Sequence, residues 1–100
     1  PALQFVRMAN ARGMSVWMGG MYDTGISRRM HAAFQMLPGV VDAGDIGATS
    51  RYFDVDVTDP PYTVERGTVT LERRGHEHGL GCALDRSALS RVLIDQQTFE

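Results

Sequence analysis

A chain of 100 residues and 11.0 kDa admits one modest domain at most. Its 10 basic and 12 acidic residues give a net charge of -2 and a pI near 5.9, and no apolar run approaches the ~20 residues of a membrane span, so neither nucleic acid nor a membrane is an expected partner. The single cysteine, Cys82, excludes an internal disulfide framework and fits a reducing, cytoplasmic setting. All 10 basic residues are arginine, so no mechanism that needs a lysine can be completed within this chain.

The elements follow in chain order. Pro1 to about Arg12 predicts a short helix, with Phe5, Met8, Ala9 and the stem of Arg12 on one face and Gly13 as the residue that ends it. Met14 to Met18 is a short apolar run ended by Gly19-Gly20, and its length and Val/Trp content favour a buried strand. An amphipathic helix follows, capped by Asp23 or Thr24, carrying Ile26, Met30, Ala33, Phe34 and Leu37 as its apolar stripe and ended by Pro38-Gly39. Val40 to Ile46 reads as a second strand. Helix, strand, helix, strand with short connections implies parallel strands joined by a crossover helix.

Beyond Ala48 the pattern changes. Residues up to Tyr62 are polar and aromatic, with Asp59-Pro60-Pro61 as a rigid break. Short strands are expected at Thr63–Val64 and Thr68–Leu71 around a Glu65-Arg66-Gly67 turn. Arg73 to Gly79 reads as a loop, Leu80 to Leu84 as a strand, and Ser87 to Leu93 as a closing helix capped by Asp85 or Ser87. Two parallel strands with one crossover leave strand edges and half a helix stripe uncovered. With a first residue other than Met, this leads to the expectation that the chain is a piece of a longer polypeptide.

Several residue groups have chemistry. Gly19-Gly20 stands where a strand ends and a helix begins, where backbone approaches a ligand closely and helix N–H groups favour an anion; a tight turn is the plainer use. His76, His78 and Cys82 form a His-x-His-x3-Cys group, of types that bind zinc but with the spacing of no common site, and solvated polar residues are the commoner occurrence. Asp42 and Asp45, and separately Asp54, Asp56 and Asp59, are carboxylates suited to a divalent cation, although turn and cap roles are commoner beside Gly and Pro. Arg28-Arg29 is expected on a solvated helix face rather than as a phosphate clamp.

The run Val16-Trp17-Met18-Gly19-Gly20-Met21-Tyr22-Asp23-Thr24-Gly25-Ile26-Ser27-Arg28 resembles the loop after the seventh barrel strand in the enolase superfamily. More narrowly it is similar to the o-succinylbenzoate synthase and N-succinylamino acid racemase family, in which Gly-Gly-Met-x-Glu-Thr-Gly-Ile-Gly-Arg occurs. Leu37-Pro38, Gly44-Asp45-Ile46, Arg51-Tyr52-Phe53, Pro60-Pro61-Tyr62, Gly67-Thr68-Val69 and Gly79-Leu80-Gly81 continue the likeness along nearly the whole chain. The departures are Asp23 for Glu, Ser27 for Gly, Ala43 for a frequent Pro, and Arg29-Met30-His31 where Ala-His-Asn is common.

The resemblance implies an α/β fold: the C-terminal part of a modified (β/α) barrel, holding its last two strands (14–19 and 40–46) and seventh helix (24–37). Residues 1–59 would close the barrel, and 60–100 would return to an α+β capping domain. The implied chemistry is abstraction of a proton next to a substrate carboxylate, giving an enediolate held by Mg²⁺. Two lysines and three acidic ligands do this work in the family, all upstream of Pro1, so no catalytic or metal residue is expected here. Gly19, Gly20 and Met21 would shape the pocket and offer N–H groups to a small-molecule carboxylate, Tyr52 would lie near its succinyl tail, and Phe53 would pack. The partners implied are that substrate and the remainder of the polypeptide; a homo-oligomer is compatible. The activity implied is a lyase of the o-succinylbenzoate synthase kind, in menaquinone biosynthesis, with a racemase as alternative. A reading of another class is a small non-catalytic metal-binding module built on His76, His78 and Cys82.

Overall fold

The computed structural model describes residues 1–41, 43–71 and 78–98. The elements are α1 (Ala2–Asn10), α2 (Gly25–Gln35), a 3-10 turn at Thr49–Arg51, β1 (Thr58–Asp59), β2 (Ala83–Leu84) and α3 (Arg86–Val92). Asp42 and His76, part of the carboxylate and zinc readings, lie outside the described residues.

The two strands expected on either side of α2 do not form as strands; two isolated parallel bridges stand in their place. The chain before α2 bridges in parallel to the chain after it, at Val16–Val40 and at Gly19–Asp45. Val41 N–H donates to Val16 O at 2.8 Å and Asp45 N–H to Met18 O at 3.0 Å. Three residue steps from 16 to 19 face five from 40 to 45, so the pairing bulges instead of forming a regular ladder. The Gln35 amide fills the bulge: it accepts from Met18 N–H at 2.7 Å and donates to Val41 O.

Both helices turn a different face inward from the one expected. In α1, Val6 and Ala9 are buried, whereas Phe5 and Met8 stand 61% and 50% exposed. The helix also stops at Asn10, because Arg12 and Gly13 N–H bond to Ala9 and Asn10 carbonyls in a tightened last turn before Gly13 leaves at φ 71. Asn10 Nδ2 donates to Gly39 O at 2.8 Å, and a side chain at Gly39 (φ 90) would strike that amide. In α2, Gly25, Arg28, Arg29 and Ala32 are the buried stripe, while Ile26 and Met30 are exposed. The period is as expected, but the face is rotated by about one residue, roughly 100°.

The second half is held by short pairings. Glu65 and Thr68 pair across Arg66 (φ 50) and Gly67 (φ 78), the two positive φ values of a type I′ turn. The strands expected on either side do not extend beyond that bridge among the described residues. Ala83–Leu84 is the part of Leu80–Leu84 that forms a strand. It pairs antiparallel with Thr58–Asp59, a strand that the polar, aromatic sequence of 48–62 did not suggest. The closing helix begins at Arg86, with Asp85 as cap accepting from Ala88 N–H at 2.9 Å.

The Cα radius of gyration is 15.5 Å, against about 13 Å for a compact chain of this length. The excess goes with apolar surface left uncovered, including Phe5, Trp17, Met30 and Leu93. Among the described residues no helix is long and apolar enough to cross a membrane.

Candidate functional site

The C-terminal ends of the parallel pair carry two loops, 19–24 and 45–52, and one side chain joins them. Arg28, from the first turns of α2, is 1% exposed. Its Nε donates to Asp23 O at 2.8 Å, Nη2 to Met21 O at 2.7 Å and Nη1 to Gly47 O at 2.7 Å. Its guanidinium carbon lies 5.4 Å from the centre of the Tyr52 ring. Tyr22 meets the same ring edge-on, with centroids 5.1 Å apart and planes at 75°. The expected solvated face is thus a buried hub. A planar fork with five donors satisfies carbonyls that diverge from two loops, which solvent would otherwise have to do.

Of the residues expected to touch a substrate, Gly20, Met21 and Tyr52 gather around this guanidinium, and Gly19 pairs with Asp45 beside them. Two of the N–H groups expected to serve a ligand are used internally: Gly20 N–H donates to Asp45 O at 2.7 Å and Met21 N–H to Asp23 Oδ2 at 2.7 Å. A side chain on Gly20 would lie 3.2 Å from Asp45 O. The Met21, Tyr22 and Tyr52 side chains remain 73%, 73% and 47% exposed, so this end presents a thioether and two aromatic faces. A cleft of about 320 Å³ lies elsewhere, between α2 and the tail, lined by Gln35, Tyr62 and Leu71 among others, and none of the four residues borders it.

Asp56 and Asp23 have structural partners. Asp56 Oδ1 accepts from Gly25 N–H at 3.1 Å and Oδ2 from Tyr62 N–H at 2.8 Å. Asp56 therefore caps α2 from 31 positions away, whereas neither Thr24 nor Asp23 makes the side-chain cap expected of it. Asp23 instead holds Met21 N–H and lies 3.8 Å from His31 Nδ1. Among the described residues, no three His, Cys, Asp or Glu side chains come together as a metal site. These residues therefore do not suit a magnesium ion, and no step of metal chemistry is assigned to them.

Tyr62 is 3% exposed and its hydroxyl reaches Ile46 O at 3.4 Å. Burial raises its pKa above the usual 10.0, opposed in part by the charges of Arg28 and Arg29. A raised folded-state pKa contributes stability fully present below pH 10 and lost as pH rises through the higher folded value. Alkaline unfolding followed by tyrosinate absorbance is expected to show this loss, and Tyr62→Phe to remove it. An unchanged alkaline limb in Tyr62→Phe would sink the assignment.

Arg28 was within reach of the sequence, since it closes the resembled Gly-Gly-Met…Arg run. Tyr22 and Gly47 had no such signal.

No family model matches the chain. Curated relatives do. The chain is 31% identical over 98 residues to o-succinylbenzoate synthase of Bacillus subtilis, covering 98% of this chain and 26% of that protein. It is 33% identical over 95 residues to o-succinylbenzoate synthase of Enterococcus faecalis, covering 95% of this chain and 24% of that one. N-succinylamino acid racemase of Thermus thermophilus matches at 27% over 96 residues, 25% of its length. Among solved structures, a protein from Enterococcus faecalis described as an unknown member of the enolase superfamily superposes with a TM-score of 0.79 at 32% identity, over 90% of this chain and 24% of that one. A member from Listeria innocua superposes equally well, at 28% identity.

The chain thus spans about a quarter of the length of the relatives it matches. Over nearly all its residues the chain is similar in sequence and fold to that quarter of enolase-superfamily proteins. Among the curated relatives the likeness is to proteins named o-succinylbenzoate synthase and N-succinylamino acid racemase.

Proposed function

We propose that this chain forms the last strand–helix–strand unit of a barrel and the pocket loops at its open end, in an enzyme of the o-succinylbenzoate synthase kind. The observation that carries the reading is the gathering of Gly20, Met21, Tyr22 and Tyr52 around one buried arginine at the C-terminal ends of parallel strands, the face on which such barrels place their substrates. The whole enzyme would remove a proton next to a substrate carboxylate and expel water, in menaquinone synthesis. Bound Mg²⁺ would supply charge that stabilises the enediolate. This chain contains no lysine, so the proton-transfer lysines, like the metal ligands, would come from residues it does not hold. Its own share is binding: the Gly19-Gly20 backbone walls the pocket without side chains, while Met21 and the tyrosines exclude water from the substrate's apolar part. Residues 60–100 would return toward a capping domain.

The second reading is N-succinylamino acid racemase, supported by the relatives of that name; it shares the lysine pair and the metal. The polypeptide that contains this chain is to be assayed with both substrates and Mg²⁺. Dehydration outpacing racemisation supports the first reading, and neighbouring menaquinone genes point the same way. Neither turnover, or an upstream coding region without Lys-x-Lys and a spaced acidic trio, would defeat both. Residues 1–100 alone are expected to show no turnover, and measurable activity from them would contradict the division of labour. Zinc bound tightly and stoichiometrically, with a gain in thermal stability, would favour the metal-module reading instead.

A further inference from the structure

A cleft of about 720 Å³ is bordered by Arg29, next to Arg28 on α2, and by Arg66, Thr63, Thr68, Thr70 and Glu65. Arg29 is 3% exposed. Its Nη2 donates to Pro60 O at 2.8 Å, but Nε and Nη1 are buried and have no hydrogen-bond partner among the described residues. Arg28, one position earlier, has all three nitrogens engaged. A guanidinium withdrawn from water with most of its donors idle is costly unless an anion accompanies it. No carboxylate among the described residues lies within ion-pair distance of Arg29.

We infer that this cleft binds a phosphate group. Arg29 supplies a buried cation with two nitrogens unpartnered among the described residues, and Arg66 a second cation on the hairpin tip. Three threonine hydroxyls supply rotatable donors along one wall. With Glu65 counted, the lining carries two positive charges and one negative, a net charge of +1. Three acceptor oxygens and a charge near -2 match that donor set better than a single carboxylate would. Arg29 stands where the resembled family commonly has Ala, and the cleft is not lined by Arg28 or by the residues gathered around it. The volume leaves room for the phosphate to be either the free ion or part of a small ester.

The polypeptide that contains this chain is to be titrated with inorganic phosphate and, separately, with phenyl phosphate, following heat and melting temperature at constant ionic strength set with chloride. A saturable rise in Tm is expected. Tighter binding of inorganic phosphate assigns the free ion, and tighter binding of phenyl phosphate assigns an ester. Arg29→Gln is expected to weaken binding by roughly tenfold or more. Arg66→Asn, which keeps the positive φ, is expected to weaken it by about threefold and provides the test should Arg29→Gln fail to fold. No saturable response to either probe overturns the inference, as does a response that both variants retain in full.

Discussion

Arg28→Met is expected to destabilise the protein by about 2–4 kcal/mol in urea unfolding, the largest effect of any single change at the candidate site. The methionine would fill much of the volume, but the carbonyls of Met21, Asp23 and Gly47 would lose their shared donor. Tyr52 would lose the cation beneath its ring. Arg28→Lys is expected to recover only a small part, because an ammonium on a flexible stem cannot serve three diverging carbonyls as a planar fork does. In the polypeptide that contains this chain, both variants should lower kcat/KM by roughly a hundredfold through misplaced pocket loops. Full stability and activity in Arg28→Lys would show that charge alone, and not the fork, holds the loops.

Asp56→Ala comes next, with an expected loss of about 3 kcal/mol. One carboxylate accepts the first N–H of α2 and the N–H of Tyr62, tying the crossover helix to the tail. Negative charge at a helix N-terminus adds to this. Asp56→Asn keeps one acceptor and should lose about half as much. Gly25→Ala tests the same junction from the other side: its Cβ would stand 2.5 and 2.6 Å from the Asp56 oxygens and also strike the Thr58 hydroxyl, so the carboxylate and the hydroxyl must both move. Because the two changes disturb one contact, the double variant should cost less than the sum. Additive losses in denaturant titration would disprove a shared junction.

These two residues also show where reading along the chain stops. The period of α2 and the parallel course of the segments on either side were legible, because helix geometry acts within a few positions, although the helix ends at Gln35, ahead of the expected Pro38-Gly39. The inward face was not. Ile26, Met30, Ala33 and Phe34 make the better apolar stripe on paper, yet Arg28 and Arg29 are buried because carbonyls of residues 21, 23, 47 and 60 await their donors. The cap was misplaced for the same reason. Thr24 and Asp23 are the local candidates, and Asp56 takes the role through the fold. Of the candidate site, the Gly19-Gly20-Met21 loop and Tyr52 were read from the motif, but the arginine that joins them was taken for surface.

The sequence by itself determined the three helices, the turn at Glu65-Arg66-Gly67, a cap at Asp85 or Ser87 and the absence of any lysine for proton transfer. Each depends on residue chemistry or on neighbours a few positions away. Only the tertiary structure decided which helix face is buried, which acid caps α2, and that Gly20 and Met21 spend their N–H groups inside the fold. A buried cation or an orphan N–H is stable only beside its partner, and here the partners lie up to 31 residues away.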